Sequence, residues 1–151
     1  MIISVLLLLT LAGFLAGCEA ALNSVSRVVI ESIAERSARR GAMVAKIIKD
    51  PARYLNVILL VRKAAELSAT VLFAEALITR MEDDLLAVLI SIGVMVLISY
   101  VVVGVGPRTL GKQNPMRWII PASYTSWLLA KILSPVTAIL IALGNAITPG
   151  K

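Results

Sequence analysis

The chain has 151 residues, 59% hydrophobic and 16% charged, with 15 Lys and Arg against 9 Asp and Glu for a net charge of +6, and its mean hydropathy is +0.92. That apolar content lies well above the usage of water-soluble domains and marks an all-α membrane protein. With no His and a single Cys, zinc centres, disulfide frameworks and imidazole acid–base catalysis drop out, so no conventional enzyme and no resident cofactor are expected.

A basic surplus suits nucleic acid or anionic lipid, and placement of the charges beside apolar runs favours lipid, with no nucleic-acid partner. Residues 2–22 are apolar apart from Ser4, Thr10, Cys18 and Glu19, close to the ~20 residues that a helix needs to cross the bilayer core. Within them Leu15-Ala16-Gly17-Cys18 has the form of a bacterial lipobox, at which Cys18 would be cleaved and lipidated. A leader of that kind carries positive charge ahead of its apolar run. Here the first basic residue is Arg27, beyond the run, so the segment is read as a membrane helix that contains Glu19.

Residues 23–53 hold Arg27, Arg36, Arg39, Arg40, Lys46, Lys49 and Arg53 against Glu31, Glu35 and Asp50. By the positive-inside rule this segment is cytoplasmic and Met1 lies outside. Val29, Ile30, Ile33, Ala34, Val44, Ile47 and Ile48 recur near helical spacing among the charges, which predicts a helix or helix pair in the membrane interface, divided at Gly41. Asp50-Pro51 predicts an N-cap followed by proline in a first helical turn. A helix over roughly 53–79 follows, interrupted by Arg62, Lys63, Glu66 and Glu75, and ends at the acidic turn Arg80–Asp84, suited to the outer face.

Residues 85–106 form the cleanest span and lead to Arg108, Lys112 and Arg117 with no acid among them, which places the C-terminus in the cytoplasm. Residues 118–147 are apolar but broken by Pro121, Lys131 and Pro135. A fourth span and a bent helix pair on the cytoplasmic leaflet both remain open there. The closing "GNAITPGK" is Pro/Gly punctuation of the kind that precedes a further domain. The expected architecture is three transmembrane helices plus cytoplasmic interfacial helices in a multi-pass plasma-membrane protein.

Charges inside a span cost at least ~2.5 to 3.5 kcal/mol each on insertion scales, so they face a protein interior and mark function. Arg62 and Glu66 lie about 14 to 20 Å from the cytoplasmic end of their helix at 1.5 Å per residue. They are spaced i, i+4 on one face, with Thr70 continuing the stripe. Glu19 reaches the same layer from the first span, and Gly104, Gly106 and Pro107 loosen the third. The functional reading is an ion pathway or gate in which Glu19 and Arg62 approach each other. The alternative is an ion-pair network of Glu19, Arg62, Lys63 and Glu66 that fixes helix register or a dimer interface without transport.

The stretches "FLAGCEAALNSVSRVVIESIAERSARRGAMVAKIIKDPARYLNVILLV" and "PRTLGKQNP" resemble the membrane domain of the CNNM/CorC family of magnesium transporters, as a divergent member of actinobacterial type. The family pattern runs F-F-S-G-S-E-A-A-L-x-S-x-S-R, a basic helix, D-P-E-R-x-L-x-T-I-L-I-G-N-N, an apolar span, then G-E-x-x-P-K-T-L. The resemblance implies a homodimer, a CBS-domain pair downstream of residues 1–151, and outward movement of Mg²⁺, coupled to Na⁺. The departures fall on the implied ion site. Ala16 and Cys18 replace serines around Gly17 while Glu19 persists; Val61 and Arg62, followed by Lys63, replace a glycine-asparagine pair; Gly104 replaces glutamate; and beside Pro107, Arg108 replaces lysine. Magnesium requires oxygen ligands in near-octahedral array, which neither Arg nor Lys supplies. Only Glu19 and Glu66 remain as carboxylates for a metal, so the expectation is a transporter fold with a degenerate site. A transport-inactive regulator or scaffold is the competing expectation.

Overall fold

The computed structural model describes residues 1–147; the expected Pro/Gly punctuation at 148–150 lies outside them. Every element among these residues is helical: α1 (Ile2–Ser24), α2 (Arg27–Arg36), α3 (Ala38–Lys49), α4 (Pro51–Ile78), α5 (Asp84–Ser99), a π-helical stretch (Tyr100–Val105), α6 (Gly106–Gln113) and α7 (Pro115–Ile147). Two helical segments of the described chain, Ile2–Ser24 and Asp84–Gln113, are long and apolar enough to cross a membrane. The 28-residue α4 is long enough, but Arg62, Lys63 and Glu66 interrupt it.

Helix starts and stops follow local chemistry, with departures that are informative. Pro51 opens α4 as the Asp50-Pro51 pair predicts, yet the Asp50 side chain makes no capping hydrogen bond. Capping of that kind occurs instead at Asp83, whose Oδ1 accepts from the Leu86 N–H at 3.1 Å, so the acidic turn serves the N-terminus of α5. The interfacial pair divides at Ser37, whose backbone is extended (φ −163°, ψ 106°), and not at Gly41. That glycine lies inside α3, and an added Cβ would come 2.6 Å from the Cα of Ala34. Gly41 is thus the point where α3 rests on α2.

The third apolar segment also differs from its expected end at residue 106. It stays helical through Gln113 by passing through the π turn, where the Gly106 N–H reaches the Val101 carbonyl. Pro107 explains the change of register, because a proline inside a helix lacks an N–H and its ring clashes with the carbonyl four residues back. Gly104 and Gly106 therefore mark a widened helix, not a break. In α7, Pro121 and Pro135 both lie inside one continuous helix.

Packing centres on α1, which touches α4, α6 and α7. Its first half joins Val5, Leu9, Ala12 and Ala16 to Ala65 and Ala69 of α4, with Met95 and Val103. Its second half joins Leu15, Cys18 and Leu22 to Tyr54, Val57 and Ile58 of α4, with Ile33, Val44 and Ile119. Early residues of α1 thus meet late residues of α4, so the two helices run antiparallel, with Glu19 and Arg62 at the seam between the two apolar clusters. On another face of α1, Gly13 and Gly17 let neighbours approach closely, the usual function of glycines four apart in membrane helices. A Cβ at Gly13 would lie 2.9 Å from the Val102 carbonyl oxygen, and one at Gly17 would lie 2.7 Å from the Trp118 ring. At Gly111 of α6 an added Cβ would collide with the Gly17 carbonyl oxygen and sit 3.2 Å from the Cβ of Ala20.

Two outcomes are expected. Gly111→Ala lowers stability in detergent thermal unfolding by about 1–3 kcal/mol because backbone must move, while Gly93→Ala, with no heavy atom within 4 Å of the added carbon, leaves it unchanged. Cys18, fully buried and the only cysteine, reacts with maleimide only after denaturation, and intact mass shows no lipid on its sulfur.

Candidate functional site

The seam between the clusters holds a chain of charged groups built from three helices. Glu19 of α1 takes Arg62 of α4 on one oxygen, Nη1 to Oε2 at 3.3 Å. Arg108 of α6 takes the other, Nη2 donating to Oε1 at 3.3 Å. Arg62 extends onward through Nε to Glu66 Oε1 at 3.8 Å, and Lys63 donates from Nζ to Glu66 Oε2 at 3.0 Å. The order is therefore Arg108, Glu19, Arg62, Glu66, Lys63, with one positive charge in surplus.

Exposure divides these groups. The side chains of Arg62, Glu19 and Glu66 are 9%, 13% and 15% exposed, whereas Lys63 and Arg108 are 58% and 48% exposed. The central three form the desolvated part, and the outer two are terminal clamps reaching toward the surface. Screening makes such half-exposed pairs weak, typically under ~1 kcal/mol. The central pair matters because losing either partner would leave its charge buried and uncompensated. Glu19 Oε2 and Arg62 Nε nevertheless lack a directed hydrogen bond. They are held at ion-pair distance without the alignment that would lock them.

The remaining sequence-derived candidates fall around this chain in different roles. Ala16 packs in the apolar cluster with Ala65 and Ala69, Cys18 packs in the other cluster, and Gly17 lies under Trp118. Pro107 lies beside Gly13, its Cγ 3.3 Å from the place of an added Cβ. Gly104 is separate from the charges: the atoms nearest to a side chain added there are Ser99 O at 3.7 Å and Tyr100 Cδ2 at 3.9 Å, ordinary contacts. Thr70 does not extend the ionic stripe, because its hydroxyl donates to the Glu66 backbone carbonyl at 2.9 Å. Among the described residues no group of three or more His, Cys, Asp or Glu side chains is arranged to hold a metal ion.

Sequence reasoning missed the pairing of Arg108 with Glu19, since the two lie 89 positions apart. It also missed the docking of Trp118 and Gly111 on Gly17. The available signal for the latter was the Gly13-x-x-x-Gly17 spacing, a known close-approach pattern.

Removing one partner of the buried pair separates its role from that of the rim. Glu19→Gln is expected to lower stability by about 3–5 kcal/mol, with part of the loss recovered by adding Arg62→Met. Arg108→Ala is expected to cost under ~1 kcal/mol, all read from thermal unfolding at fixed detergent and salt.

Known proteins match the sequence along nearly its full length. Residues 2–150 match the family described as the cyclin M (CNNM) transmembrane N-terminal domain. Two UPF0053 proteins, of Mycobacterium bovis and Mycobacterium tuberculosis, are each 36% identical to the chain over 147 residues, or 97% of it. The chain spans about a third, 33%, of the length of these curated relatives. With the family model matched over residues 2–150 and these relatives 36% identical over 97% of the chain, the chain belongs to the CNNM transmembrane-domain family.

Proposed function

We propose that this domain moves divalent cations, Mg²⁺ first, outward across a bacterial plasma membrane in exchange for Na⁺. In this reading α1, α4 and the α5–α6 segment are the three spans, Met1 faces outside, the α2–α3 pair and the C-terminus are cytoplasmic, and two copies form the working dimer. Support comes from family membership and from the basic α2–α3 segment, which suits the inner face. The observation that carries the proposal is the desolvated Glu19–Arg62–Glu66 chain at the seam of α1 and α4. Charges held inside a membrane protein at that cost mark a pathway by default.

Arg62 acts here as a built-in counterion. Its guanidinium occupies the space between the two carboxylates that a cation would use, and a divalent ion entering a cluster with surplus positive charge must first displace it. Neither the contact of Glu19 Oε2 with Arg62 Nη1 nor that of Arg62 Nε with Glu66 Oε1 is a directed hydrogen bond, so displacement is less costly than breaking a fully hydrogen-bonded pair. Two carboxylates cannot complete an octahedral shell, so water and backbone carbonyls supply the other oxygens. A second reading, a transport-inactive regulator or scaffold, rests on the same pair seen as a permanent lock.

Mg²⁺ flux into proteoliposomes decides between them. The native protein is expected to give Mg²⁺ flux that rises with an opposing Na⁺ gradient, and Arg62→Asn with Gly104→Glu to give more, since the position of Gly104 has room for a side chain. A silent native protein beside a conducting variant would establish the scaffold reading. Silence of both would overturn transport by this domain.

A further inference from the structure

Away from the charged seam, the junction of α2 and α3 packs beside the start of α7 and leaves a cavity of about 140 Å³, lined by Ile33, Arg36, Ser37, Arg40, Met116 and Ile120. Arg36 is the last residue of α2 and Arg40 lies in the first turn of α3, so the break at Ser37 brings two arginines to one cavity. Among the described residues neither arginine forms an ion pair, a side-chain hydrogen bond or a ring contact. Glu35, adjacent in sequence, is not among the lining residues, and no other acid is. Both arginines are exposed, so a ligand reaches them without any helix moving. The same two helices, α3 and α7, line a second cavity of about 180 Å³ with Arg39, Met43, Tyr124 and Trp127. The two rings there are half-exposed or nearly so, unusual for core aromatics but ordinary at the level of lipid headgroups.

We infer that the cavity between Arg36 and Arg40 holds the phosphate of an anionic phospholipid. Two cations that share a cavity repel each other, and an anion between them turns that repulsion into attraction. Each guanidinium presents paired N–H donors that match two phosphate oxygens, so two arginines hold one phosphodiester with no carboxylate competing for them. At about 140 Å³ the cavity is well below the roughly 300 to 1,000 Å³ of sites that enclose a whole small molecule. It suits a ligand that leaves most of its bulk outside, with Ile33, Met116 and Ile120 receiving the first carbons beyond the phosphate. A zwitterionic lipid gains less, because its own ammonium meets the same arginines. A soluble phosphate compound gains the charge attraction but not the apolar contact. The assignment is independent of ion transport, since none of Glu19, Arg62 and Glu66 lines either cavity.

The test is native mass spectrometry of the chain in mild detergent, titrated with phosphatidylglycerol and with phosphatidylcholine of the same acyl chains. Phosphatidylglycerol is expected to be retained about tenfold more strongly or better. Arg36→Gln with Arg40→Gln is expected to remove most of that preference. Arg27→Gln with Lys49→Gln, an equal change of charge at the far ends of α2 and α3, is expected to leave it intact. Equal retention of the two lipids by the native chain overturns the assignment. A preference undiminished in the arginine pair does so too, as does one equally diminished in both pairs, which would mean diffuse attraction by the whole basic segment. Hydrogen–deuterium exchange on the native chain gives a reading free of any substitution: phosphatidylglycerol, and not phosphatidylcholine, is expected to slow exchange over residues 36–40, and no slowing there overturns the site. Glycerol phosphate supplies the last arm: if it binds as tightly as phosphatidylglycerol, the cavity takes a soluble phosphate compound and the lipid assignment fails.

Discussion

The fold depends on a carboxylate and a guanidinium that must find each other away from water. In a bilayer, apolar side chains gain little by leaving lipid for protein, since the acyl chains are as apolar as leucine. The many exposed leucines, isoleucines and valines of α1 and α5 are therefore weak determinants of how the helices sit. Glu19 and Arg62 are strong ones, because either facing lipid alone carries a large cost. Their contact at 3.3 Å sets the register of α1 against α4, and the apolar clusters above and below it follow from that register.

Close approach supplies the second constraint. Gly13, Gly17 and Gly111 remove side chains where α1 meets the π turn and α6, so Trp118 can lie on Gly17 and Arg108 can reach Glu19. The π turn itself follows from Pro107, and it lets a 30-residue segment remain helical where an interruption would leave backbone groups without partners in lipid. The charged seam is thus assembled where a regular helix, α4, meets a glycine-bared α1 and the α6 that follows the π turn.

The same seam admits two functional consequences from one electrostatic fact. A positive surplus in a desolvated chain repels an entering dication, and Glu19 Oε2 and Arg62 Nε at its centre have ion-pair contacts without directed hydrogen bonds. Whether Arg62 swings aside or stays depends on the free-energy difference between the paired and separated states.

How much of this was written in the linear chain follows from how local each feature is. The lengths of the apolar runs, the acidic turn at 80–84, the proline start of α4 and the polar layer at Glu19, Arg62 and Glu66 were legible because each depends on residues within a few turns of one another. The break at Ser37 in place of Gly41, the continuity of α7 across Pro121 and Pro135, and the extension of the third segment to Gln113 were not. Glycine and proline signal permission to bend, and packing decides whether it is used. Partner choice was legible in part: the shared depth of Glu19 and Arg62 pointed to their pairing, which the structure shows, but Arg108 was selected by the close approach of α6, a distance that no local pattern encodes.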